Sequence, residues 1–205
     1  MKITVPESYR DYVNDKVVSS VVDHLLEQTG KKLPSELEWP EVRAYHEACL
    51  SAQKVQADYI IFLFDLWDAI WGKALSEVGS FEFWTPDELK EGSSEWLPSS
   101  KNLWDDGLYQ RMDFEKNGGQ WSLLVWIAHD DSDGVYTSFI VYDEGGETVT
   151  DALDIQLSSA WEDELDADGF FCNTGEYSIV ITKDSVDIDT SSLEGAVSEL
   201  LSIIR

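Results

Sequence analysis

Residues 108–128 read "LYQRMDFEKNGGQWSLLVWIA", two alternating runs joined by Asn117-Gly118-Gly119. Asn-Gly is the two-residue turn whose positive-φ backbone matches the twist of paired strands, so this stretch is held to an antiparallel hairpin. Strand-like runs continue after it. "GVYTSFIVYDE", "GGE" and "TVTDALDIQL" suggest a second hairpin, and "EYSIVIT" and "SVDID" supply further strands. Connections this short suit antiparallel pairing and argue against a doubly wound parallel sheet.

Upstream the period changes. Tyr9, Tyr12, Val17, Val21 and Leu25 recur at helical spacing, with Gly30 placed to close one helix. Pro40 suits the first turn of a second helix. There the apolar positions Val42, Tyr45, Cys49, Ala52, Tyr59, Leu63, Trp67, Ile70 and Ala74 keep the period to about Gly79. A helix of that length exceeds the usual range, so a break is expected at Ala52–Ala57 or at Gly72. Residues 60–71, "IIFLFDLWDAIW", are apolar nearly all round, as in a core helix or a subunit contact. The segment 81–107 is rich in Ser, Pro, Gly and Asp and reads as a connector with one helical turn after Thr85. The chain ends in "SSLEGAVSELLSIIR", with Ser191 and Glu194 at capping-box spacing.

The expected fold is α+β: an N-terminal helical part, then an antiparallel β-meander of about five strands with a C-terminal covering helix. The expected organisation is a helical region at 1–80, a connector at 81–107, and an acidic sheet with its helix at 108–205, all compatible with one compact unit.

Charge bounds the function. The chain carries 41 acids against 14 bases, a net charge of −27. Such self-repulsion costs stability and argues against direct contact with nucleic acid or anionic lipid, both of which attract cationic surfaces. Residues 1–100 hold 9 bases and 18 acids, whereas 101–205 hold 5 and 23. Between Lys116 and Lys183 there is no base at all, and 14 acids stand in that gap. They collect in "HDDSDG", "YDEGGE" and "WEDELDADG", the strand ends and loops. Carboxylates without interleaved bases add their potentials over a Debye length of ~8 Å. Acids at neighbouring loops would then capture a basic protein.

The chemistry-bearing motifs are thin. Glu164, Asp166, Asp168 and Gly169 match the opening of a calcium loop, but its twelfth place is Gly175, with Glu176 one position late, and a strand follows instead of a helix. His24, His46 and His129 have no zinc spacing, and His129-Asp130 lacks the further ligands of a two-metal site. Asp65 and Asp68 are the acids in apolar company, three apart on one helix face, and are expected to point to solvent. Cys49 and Cys172 form no CxxC and read as buried small hydrophobes. Trp96, Trp104 and Trp161 are the tryptophans placed as interface anchors.

These features make a non-enzymatic interaction protein with no cofactor and no metal the expected class. Its partner-binding residues are Asp130, Asp131, Asp133, Asp143, Glu144, Glu147, Trp161, Glu162, Asp163, Glu164, Asp166 and Asp168. The expected partner is a basic protein, a nucleic-acid-binding nuclease or effector complex, with self-association through residues 60–71 open as well. In composition the chain resembles a type, the small acidic motif-free proteins by which phages block nucleic-acid-handling enzymes, the anti-restriction and anti-CRISPR proteins. That resemblance implies charge mimicry of nucleic acid. The other readings are an immunity protein, antitoxin or chaperone with a basic client, and a calcium or metal-dependent module on Glu164, Asp166 and Asp168. With no signal peptide and no apolar run of spanning length, a cytoplasmic location is expected, inside a host cell if the chain is of phage origin.

Overall fold

Asp15 divides the first helical stretch in two. Its backbone is extended (φ −127°, ψ 107°), and its carboxylate accepts from the amides of Val17 at 2.8 Å and Val18 at 3.3 Å. Asp is among the strongest N-cap residues, so it starts a new helix where periodicity alone runs on. One expected helix is therefore two, α1 (Glu7–Asn14) and α2 (Lys16–Gln28), preceded by a short strand β1 (Lys2–Thr4). The computed structural model describes residues 1–33, 36–79, 82–83, 99–130, 134–143, 162–164 and 174–204.

The second helix, α3 (Trp39–Trp67), passes through Ala52–Ala57 unbroken. Pro40 sits in its first turn, and the Glu38 amide donates to the Glu41 carboxylate at 2.8 Å. The irregularity falls later, as a π-helical turn at Asp68–Gly72 leading into α4 (Lys73–Ser76). The Gly72 alternative thus holds, and the Ala52–Ala57 one is corrected. The apolar turn of residues 60–71 belongs to the core: Phe62, Leu63, Leu66, Trp67, Ile70 and Trp71 are buried. Asp65 and Asp68 are exposed, as their spacing predicts.

The connector contributes more than a linker. It supplies β2 (Glu82–Phe83) and α5 (Ser100–Asp105), the latter capped by the Ser99 hydroxyl; the turn expected after Thr85 lies outside the described residues. The first hairpin forms as read, with β3 (Leu108–Lys116) paired to β4 (Gly119–Asp130) and both turn residues at positive φ, Asn117 at 55° and Gly118 at 79°. β5 (Gly134–Asp143) pairs with the other side of β4. The strand expected at 148–157 lies outside the described residues. Along Val135–Phe139 the neighbour of β5 is β7 (Thr174–Ile179), which in turn pairs with β6 (Glu162–Glu164). The result is an antiparallel sheet in the order β2-β3-β4-β5-β7-β6.

"SVDID" does form a strand, β8 (Asp187–Asp189), but it does not join that sheet. It pairs with β1 in a separate two-stranded ribbon. The last helix, α6 (Ser191–Ile204), starts one residue earlier than the capping-box spacing implies. The Thr190 carbonyl accepts the first intrahelical bond, from Glu194, and the Thr190 hydroxyl donates to the Glu194 carboxylate at 2.9 Å. Leu193, Ala196, Val197, Leu200, Leu201 and Ile204 are buried, a helical stripe of i, i+3, i+4 spacing.

The helices cover one face of the sheet. Met112, Leu123, Val125, Ile127, Val135, Phe139 and Val141 point toward them and join one core with Tyr9, Phe62, Trp71 and Leu200. Trp71, brought inward by the π turn, donates its indole N–H to the Thr137 hydroxyl at 2.9 Å, and Thr137 donates to the Trp126 carbonyl at 2.8 Å. A buried indole without an acceptor would cost on the order of 1–3 kcal/mol, so this bond fixes the register of helix on sheet.

Candidate functional site

Strand pairing places the acidic residues at backbone level. Asp130 ends β4, opposite Gly134, and Asp143 ends β5, opposite Trp121. Those two positions are at opposite ends of the pair, ~30 Å apart at ~3.3 Å of rise per residue. That separation is several Debye lengths, so charges at the two ends do not add into one field. β6 consists wholly of acids, Glu162, Asp163 and Glu164, and is the edge of the sheet among the described residues. It runs in the same direction as β5, so its exit lies toward the Asp143 end. Asp131, Asp133, Glu144, Glu147, Trp161, Asp166 and Asp168 lie outside the described residues.

Within the edge, Glu162 is the register partner of Glu176 on β7, with Ser138 of β5 next in the same row. Like charges directly opposite one another repel, at a cost of ~0.2–1 kcal/mol. A short charged edge strand is also a common defence against edge-to-edge pairing. Several bases elsewhere are engaged by acids close in sequence: Arg43 with Glu47 at 2.8 Å, Lys54 with Asp58 at 2.5 Å, Lys101 with Asp105 at 3.8 Å and Arg111 with Asp113 at 2.8 Å. Asp113 also accepts from Ser122 at 2.6 Å across the hairpin, and the Ser122 and Arg111 bonds hold its pKa below the ordinary carboxylate value.

A second region lies at the Asp130 end, and the sequence reading missed it. His129 is the last member of the inward row Trp121, Leu123, Val125, Ile127, so it faces the helices. Its Nδ1 is 2.7 Å from the Tyr9 hydroxyl. Tyr9 is 1% exposed, and burial raises its pKa well above the usual phenol value. Tyr12 donates to Asp23 at 3.1 Å, and Trp104 stands edge-on to both Tyr12 and Tyr59, at 4.8 and 5.4 Å between ring centres. Two hollows flank this aromatic cluster, of about 650 and 570 Å³, and both are lined by Asp23 and Glu27 of α2. The sequence signal that could have found the region is the alternation in β4, which carries a histidine into a row of core positions.

Of the remaining expectations, His24 and His46 are exposed on α2 and α3, and Cys49 is buried on α3. Cys172, Trp96 and Trp161 lie outside the described residues. Among the described residues no group of three or more His, Cys, Asp or Glu is arranged to hold a metal ion. No helix among them is long and apolar enough to cross a membrane. The chain matches no protein-family model, no curated protein and no solved structure.

Proposed function

We propose that this chain is an acidic binding protein whose β6 edge and neighbouring carboxylates occupy a phosphate-binding surface on a basic, nucleic-acid-handling protein. The observation that carries the reading is the pairing of Glu162 with Glu176 on an all-acid edge strand, inside a stretch with 14 acids and no base. Acidic residues at paired backbone positions, in a stretch of sequence that carries no base, favour a cationic partner. One strand of duplex DNA carries a charge every ~3.4 Å, and the successive acids of β6 follow at ~3.3 Å, a comparable spacing for a surface built to grip phosphates. Inhibitors of the anti-restriction and anti-CRISPR type use this chemistry, and the cytoplasm is where such targets work.

A competition gel shift tests the reading. Basic DNA-binding nucleases and guide-RNA effectors are mixed with labelled duplex DNA and rising amounts of the protein. Displacement of DNA that weakens steeply with salt is the expected result. The variant carrying Glu162→Gln, Asp163→Asn, Glu164→Gln and Glu176→Gln should lose it. Binding to a basic protein that DNA does not compete with would favour an immunity, antitoxin or chaperone role, and no binding to any basic protein would end the proposal.

A further inference from the structure

The 570 Å³ hollow between α2, α3 and α5 is walled by Trp104, Asp23, Glu27, Asp105, Gln53 and Gln56. Asp23 and Glu27 are four residues apart on one face of α2, and Asp105 comes from α5, so three carboxyl side chains line the hollow from two elements without closing on a single point. Trp104 is partly buried, and its ring is held edge-on by Tyr12 and Tyr59, which fixes its orientation before anything binds. Gln53 and Gln56 add amide oxygens from α3. The cation lining this hollow is Lys101, which pairs with Asp105 at 3.8 Å through a side chain 83% exposed. A pair that long and that exposed contributes little and is readily exchanged. Burial raises the Asp105 pKa, with Lys101 pulling it down and Glu27 adding a smaller push upward.

An indole beside several carboxyl and amide side chains is an environment that binds organic cations. Rings attract a cation placed over them, and carboxylates accept its donors. A guanidinium suits it better than an ammonium, because its planar fork of five donors can stack on the indole while reaching several oxygens. We infer that this hollow receives an arginine side chain projecting from the basic partner. The inference rests on the proposed function for the existence of such a partner, but it concerns a different surface. Its Trp104 packs on Tyr12, which with His129 lines the neighbouring hollow at the Asp130 end, away from the exit of β6.

The test is an NMR titration of the ¹⁵N-labelled chain with a hexapeptide of alternating glycine and arginine. The Trp104 indole resonance is assigned by its loss in Trp104→Phe. The expected result is a saturable shift of that resonance at low salt. Affinity should fall at least tenfold in the Glu27→Gln, Asp105→Asn double variant and rise in Lys101→Met, which removes the competing cation. Glu27 and Asp105 are exposed, so the double variant should keep the native spectrum away from the hollow. The quadruple β6-edge variant should bind the hexapeptide as wild type does. Loss of hexapeptide binding in the edge variant alone would overturn the hollow while leaving the basic-partner reading intact, and a silent Trp104 would overturn it outright. Spermidine binding as tightly as the hexapeptide would assign the site to free polyamines and overturn the arginine assignment.

Discussion

The Tyr9 hydroxyl lies 2.7 Å from His129 Nδ1, a contact between α1 and the end of β4 that spans 120 residues of chain. Because burial raises the Tyr9 pKa, the phenol stays protonated through the physiological range and the bond does not depend on its ionisation. Tyr9→Phe removes the hydroxyl and leaves the ring packing in place. The expected loss is about 1–3 kcal/mol, seen as a lower urea midpoint with an unchanged slope. An unaltered midpoint would show that the contact adds nothing to stability.

Trp71 and Thr137 make a sharper pair, because substitutions separate shape from hydrogen bonding. Thr137→Val keeps the volume but removes the acceptor for the indole N–H. It should cost about 1–3 kcal/mol in a buried setting. Thr137→Ser restores the oxygen and should recover much of that loss. Equal melting temperatures for the two variants would refute the role assigned to the bond.

Gly107 precedes β3 with φ of +88°, and a Cβ built there would lie 2.4 Å from the Ile127 carbonyl oxygen and 2.7 Å from Ala128 Cα. Both neighbours are backbone of β4 and cannot rotate away. Gly107→Ala combines left-handed strain with a backbone collision and should destabilise on the order of 2–4 kcal/mol. Gly118→Ala is the control: φ is +79° there, but nothing lies within 4 Å of the added carbon, so its cost should be smaller.

Glu176 and Glu162 are backbone register partners, so Glu176→Gln removes one of two like charges from opposed positions. Stability should rise by about 0.2–1 kcal/mol at low salt, with the gain fading as salt screens the pair. The same substitution should weaken capture of a basic partner. Thermal melts at two ionic strengths, run beside the competition assay, would expose that opposition; a variant neutral in both would remove the pair from the functional argument.

Asp105→Asn carries a pH signature. Burial, the larger cause, and Glu27 raise the wild-type carboxyl above its unfolded value, so the ionised form is penalised on folding. The variant should be the more stable protein at neutral pH. Its advantage should disappear as pH falls through the folded-state pKa, where the wild-type carboxyl becomes neutral and the penalty lapses. Paired melts across the acid range decide this, and a pH-independent difference would rule out the Asp105 carboxylate as its source.

The helical and hairpin halves were readable because periodicity and turn chemistry are local. Asn117-Gly118 alone fixes the β3–β4 register, and the apolar stripe of α3 marks its buried face. Asp15 shows what periodicity misses: α1 and α2 share a compatible spacing, and only the capping preference of one aspartate announces the break. β8 was legible as a strand but not as the partner of β1, since a three-residue strand carries too little pattern to choose a mate. At the acidic region, composition revealed the charge while pairing decided its distribution, so Asp130 and Asp143 part to opposite ends. The aromatic hollow was invisible, because it joins Asp23, Gln56 and Trp104 from three helices.

The pairing of β1 with β8 also bears on how the chain is made. Thr4 and Asp187 are 183 positions apart, so β1 leaves the ribosome long before its mate β8. The helices and hairpins in between have close partners and can settle earlier. That clasp therefore closes only after the elements between its strands have been made, and until then β1 travels without the partner that covers its edge.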